Sequence, residues 1–187
     1  IRPVVREGEE FIITALPLFL KVFAVLLGSF LPRFLHVQDE ARAARLLQAY
    51  GEVSAAIRTT HATALTRQSG PDSLPCGAAG IAENRLAGNS TLCINGILLE
   101  TEHGYPASRI ADDIPGVLAL VSFAHPPQGK PSLAAFIRAG LTYQQTGQIA
   151  RIGLSAASDP KQCFFEYTEP LTPGSAAALG EPVTTGC

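Results

Sequence analysis

The chain has 187 residues, a formal net charge of −2 at pH 7, and neither Trp nor Met. That length makes one domain the default, and a charge so near neutrality gives no electrostatic case for binding nucleic acid or an anionic membrane surface.

Residues 1–10 are polar and irregular. The next stretch, Phe11 to Leu35, is 25 residues long with 18 of them apolar. A helix of that length spans roughly 37 Å, against a bilayer hydrocarbon core of about 30 Å. The run is longer than the apolar centre of a secretory signal, about 7–15 residues, and no small-residue cleavage pattern follows it. It therefore reads as a membrane anchor, with Lys21 and Pro17 opposing that reading. A charge mid-run costs about 2.5–3.5 kcal/mol in lipid, and proline removes a helical hydrogen bond. The boundary is expected near residue 35, with 1–35 as the apolar helix and 36–187 as the globular head.

Polarity changes at Gln38-Asp39-Glu40, and a helical pattern continues to Thr66. Ala43, Leu46, Tyr50, Val53, Ile57 and Ala64 recur at three- and four-residue spacing, which is one face of a helix. Ala44, Leu47, Gly51 and Ala55 form a smaller stripe beside it. Two stripes fit two partners, one in the subunit and one outside it; a single deeply buried helix fits equally well. Gln68-Ser69-Gly70-Pro71-Asp72 ends the helix.

A long loop is expected to about Ser90, then a strand over Thr91–Thr101, a turn at His103–Pro106 and a short helix over Ala111–Val121. A turn follows at Pro126–Gly129. Strands are expected at Leu133–Ile137, Ile149–Ala156 and Cys163–Thr168, and the tail Glu169–Cys187 reads as a loop. The fold class is thus α+β: a long N-terminal helix, apolar then amphipathic, packed on an antiparallel sheet.

The cysteines are Cys76, Cys93, Cys163 and Cys187. No CxxC pair or zinc-finger spacing occurs, so two disulfides formed outside the cytoplasm are the better reading. Three connectivities are open. Nearest-neighbour pairing, Cys76 with Cys93 and Cys163 with Cys187, closes two moderate loops, each contributing about 3 kcal/mol.

Several segments taken together resemble the type IV pilins and type II secretion pseudopilins. Leu31-Pro32-Arg33-Phe34 is similar to the ALPRF segment in that family's long helix, and Asp39–Ala44 to the S-D-A-R-x-A sequence after it. His103-Gly104-Tyr105-Pro106-Ala107 resembles the YGYPAA segment of mannose-sensitive haemagglutinin type pilins. Cys163–Thr168 with Thr184–Cys187 is similar to the closing disulfide loop of that subfamily. Two positions depart from the pattern. Counting back from Pro32, Phe11 falls at the mature first residue, so Glu10 stands where the prepilin peptidase requires glycine. Ala15 stands where the family has a glutamate.

The resemblance implies a structural subunit of a bacterial surface filament with roles in adhesion or motility. Its partners would be copies of itself, the inner membrane before assembly, and the assembly machinery. Phe11, Leu20, Val25, Leu31, Pro32 and Phe34 would lie in the filament-core helix, with a kinked or locally unwound segment between about Val25 and Phe34 after assembly and continuous helix resuming by His36. The alternatives are a secretion pseudopilin and a membrane-anchored adhesin that does not polymerise.

No HExxH, GxSxG, P-loop or GxGxxG pattern occurs, and His36, His61, His103 and His125 are scattered. No catalytic residue and no cofactor or metal site is assigned. Asp112-Asp113 lacks the surrounding ligands of a calcium loop. Asn89-Ser90-Thr91 fits the N-glycosylation pattern and is expected in a loop.

Overall fold

A computed structural model describes residues 7–68, 70–77, 79–109, 116–122 and 132–187. Helix α1 runs unbroken from Glu7 to Thr66, with side chains described for 19–25 and from 36 onward. The chain forms two compact units, Ile1–Glu40 and Ala41–Cys187, and α1 contributes to both. In the first unit, His36 Nδ1 lies 3.3 Å from a Glu40 carboxylate oxygen one turn along the helix.

The second unit is α+β with antiparallel sheets. Strands β1 (Asn89–Ile94), β2 (Ile97–Glu102) and β3 (Tyr105–Pro106) form one sheet in that order. A 3-10 turn at Val117–Leu120 and helix α2 (Leu133–Arg138) follow. Strands β4 (Leu141–Thr146), β5 (Ile149–Leu154), β6 (Phe164–Thr168) and β7 (Ala178–Leu179) form the second sheet, again in chain order.

Thr91–Thr101, expected as one strand, is a hairpin. Asn95 and Gly96 have φ of 52° and 77° between the paired residues Ile94 and Ile97. A two-residue hairpin loop that matches strand twist needs both central residues in the left-handed region, which Asn-Gly tolerates best. His103 and Gly104, at φ 50° and 79°, repeat the device between β2 and β3. A Cβ on Gly104 would sit 2.8 Å from Leu86 Cδ2, the movable end of a side chain, so the positive φ rather than space is what favours glycine there.

Leu133–Ile137 is helix, not strand. The Ser132 hydroxyl accepts from the Ala135 N–H and caps the first turn. Gly140, at φ 80°, turns the chain into β4, a strand the sequence reading did not anticipate. Asn89 opens β1 rather than lying in a loop, and its side-chain amide donates to Glu100 at 2.9 Å. Residues 111–115 of the expected short helix, Asp112-Asp113, His125 and the Pro126–Gly129 turn lie outside the described residues.

Helix α1 is the spine of the second unit. Leu46, Ala49 and Val53 are fully buried against Phe136, Ile152, Phe165 and Tyr167. Tyr50 meets the Phe165 ring edge-on, with centroids 5.4 Å apart. Further along, Ala64 packs with Leu92, Ile94, Leu99 and Ala119, so the same helix serves both sheets. Each buried Val, Leu, Ile or Phe side chain here contributes about 1.5–3 kcal/mol over leaving it in water.

Two disulfides fasten what the sheets do not. Cys76–Cys93 ties the loop after α1 to β1, with Cys76 buried and Cys93 half-buried against Ala82 and Leu98. Cys163–Cys187 ties the tail to the start of β6. The tail is also zipped by backbone: Phe164 and Val183 exchange hydrogen bonds of 3.1 and 2.8 Å, and Asp159 N–H donates to Gly186 O at 2.8 Å.

Candidate functional site

Two exposed apolar surfaces and one buried polar knot stand out. In the first unit, Phe19, Leu20, Val22, Phe23 and Val25 are all exposed, Leu20 at 58% and Val25 at 70%. At about 100° per residue these positions spread over roughly 220° of the helix circumference, with Lys21 in the remaining sector, so no single packed face would bury them. Phe19 and Phe23 stack on each other at 6.2 Å between centroids, one turn apart. Of the residues assigned to a filament core, only Leu20 and Val25 have described side chains; those of Phe11, Leu31, Pro32 and Phe34 lie outside them. Among the described residues no helix is long and apolar enough to cross a membrane.

In the second unit, the primary stripe of α1 faces the core and the smaller stripe faces away. Ala44, Leu47, Gly51 and Ala55 are exposed, Leu47 at 48%. Gly51 leaves open space where a Cβ would stand. This face offers small side chains that let another helix approach closely.

The knot lies where the chain leaves β3. Tyr167 Oη donates to Pro106 O at 2.5 Å, Tyr143 Oη donates to Ser108 O, and Ser108 N–H donates to a Glu169 carboxylate oxygen at 2.5 Å. Burial, and then the Glu169 carboxylate, push both tyrosine hydroxyls above their usual range. Beside it, Glu100 accepts from Arg109 Nε and Nη2 at 2.8 and 2.5 Å. The sequence reading missed this knot because its members lie up to 61 residues apart and share no local pattern.

Each described histidine has a structural contact. His61 stacks on Tyr105 at 4.0 Å, and His103 Nδ1 accepts from Gly88 N–H at 2.9 Å. Among the described residues no group of three His, Cys, Asp or Glu side chains could hold a metal ion. The four cysteines are all in disulfides, which places the chain in an oxidising compartment, extracellular or periplasmic. No protein-family model, curated protein or solved structure matches the chain.

Proposed function

We propose that this chain is a structural subunit of a bacterial type IV pilus-like filament, with α1 as its polymerising element and the second unit as a pilin-like head. The observation that carries the reading is the exposed apolar segment at Phe19–Val25. Five large apolar side chains within seven residues, spread over more than half of a helix circumference, need neighbours on more than one side. A bundle of identical helices supplies them, and the exposed Ala44–Ala55 stripe gives the head a helix-packing face of its own. The two disulfides suit an extracellular fibre. Residence in the inner membrane before assembly and handling by an assembly machinery belong to the same proposal.

Electron microscopy tests it. The full chain, dialysed out of detergent, is expected to form helical polymers. Leu20→Glu and Val25→Glu are expected to abolish them while leaving the circular dichroism of the head unchanged. A full chain that stays monomeric under every such condition overturns the filament reading.

A further inference from the structure

The longest open strand edge among the described residues is β4. Ser155 N–H donates to Gly140 O at 3.0 Å, which sets the alternation of the β4–β5 ladder. Residues Thr142, Gln144 and Thr146 therefore bond to β5, and Leu141, Tyr143 and Gln145 turn their N–H and C=O outward. None of these outward groups has a backbone partner among the described residues. Leu141 is buried, Tyr143 half-buried, and Gln144 to Thr146 exposed, so the accessible edge starts at Tyr143.

The other edges are closed or short. Thr91 O on β1 already accepts from Glu83 and Asn84 N–H, at 3.1 and 3.0 Å. Strands β3 and β7 have two residues each. Proteins normally block a long open edge with charge, proline or a bulge. Strand β4, LTYQQT, has no charge and no proline, and its register with β5 is uninterrupted.

We propose that β4 pairs antiparallel with β4 of a second copy of this chain, across a two-fold axis at Gln144. In that register Tyr143 of each copy meets Gln145 of the other as a hydrogen-bonded pair, and Gln144 meets its own counterpart in the non-bonded position. The two four-stranded sheets become one continuous sheet. A second copy fits better than a foreign strand because a two-fold axis sets like against like, which only an uncharged strand tolerates. At the accessible end of β4 the side chains of Gln144, Gln145 and Thr146 are amides and a hydroxyl that both donate and accept, so each is its own complement. The Tyr143 ring is already held by its bond to Ser108 O, so pairing orders little that is mobile. No residue of α1 takes part, so this contact is independent of the filament reading.

Gln144→Cys in the full chain, held in detergent micelles, tests the register. The proposed axis puts the two Cα atoms about 4.5 Å apart, within disulfide reach. Mild oxidation is expected to give a covalent dimer that reductant reverses. Thr146→Cys lies on the same outer face, but its counterpart is roughly 13 Å away along the strand, and it is expected not to cross-link. Adding Gln145→Pro to Gln144→Cys removes an outward N–H without touching the β5 ladder. Cross-linking is then expected to fall about tenfold or more. Should that variant misfold, Gln144→Lys sets like charges opposite each other and is expected to shift the full chain toward monomer in sedimentation. Equal cross-linking at 144 and 146, cross-linking indifferent to Gln145→Pro in a folded protein, or no dimer at either position overturns the proposal.

Discussion

The two halves of α1 use apolar residues in opposite ways. Over Phe19–Val25 they spread over more than half of the helix circumference and are exposed; over Leu46–Ala64 the main stripe is buried, and only the smaller stripe beside it, with Leu47 and Ala55, is exposed. The helix is continuous, so backbone propensity does not separate the halves. What differs is whether a sheet is available to cover the apolar surface. A helix apolar over more than half of its circumference needs more than one neighbour, whereas a striped one needs a single layer.

The sharpest way to break this contrast is to place one charge on both sides of the second half. Val53 is fully buried and Leu47 is 48% exposed. Val53→Asp is expected to destabilise the head by about 4 kcal/mol or more, since an unpaired buried charge is among the costliest substitutions. Leu47→Asp is expected to stay within about 0.5 kcal/mol of the parent. Chemical denaturation of both variants checks this, and comparable losses would mean that the outward stripe is also packed. Polymer formation should respond in the opposite order, with folded Leu47→Asp impaired in assembly.

A second perturbation removes the covalent support of the four-stranded sheet. Cys163→Ser with Cys187→Ser is expected to cost about 3 kcal/mol, measured as a lowered denaturation midpoint. The three-stranded sheet, with Leu92 and Leu99 packed further along the helix at Ala64, should loosen less, which hydrogen exchange resolves strand by strand.

The knot predicts a pH dependence. The folded state holds Tyr143 and Tyr167 neutral, with ionisation raised by burial and by Glu169. A group whose folded value lies above its unfolded value gives stability that is intact below the unfolded value and lost as pH rises beyond it. Stability is therefore expected to be flat with respect to these groups below about pH 10 and to fall above it. Phenolate absorbance should show these two tyrosines ionising together with unfolding. Gradual ionisation in a folded protein would contradict their burial.

The smallest expected effect is at the α2 cap. Ser132→Ala removes the acceptor for Ala135 N–H and should cost about 1 kcal/mol, visible as a small shift in melting temperature.

Much of the second unit was legible because its pattern is local. The stripe at three- and four-residue spacing gives the Asp39–Thr66 helix, and alternation gives β5 and β6. The first hairpin escaped because β2 is buried on both faces, so its residues do not alternate and the Asn-Gly pair sits inside an apolar run. Helix α2 escaped because Leu133–Ile137 is too short for its period to differ from that of a strand, and the deciding residues, Ser132 and Gly140, lie outside it. Strand β4 escaped because its exposed end, Gln144–Thr146, is polar on both faces. The two surfaces proposed for contact follow from the same logic: the exposed stripe was visible as a period, while the open β4 edge is a property of backbone that no side-chain pattern encodes.

The tail bridge has a mechanical consequence. A pull applied at Cys187 passes through the sulfur–sulfur bond directly to Cys163, 24 positions earlier, and bypasses everything between them, β7 included. That segment is hidden length. While the bridge is intact, tension cannot draw it out; once reduced, it would add roughly 80 Å of contour to a stretched chain. The tail thus works as a taut tether under oxidising conditions and becomes a slack one when they are lost.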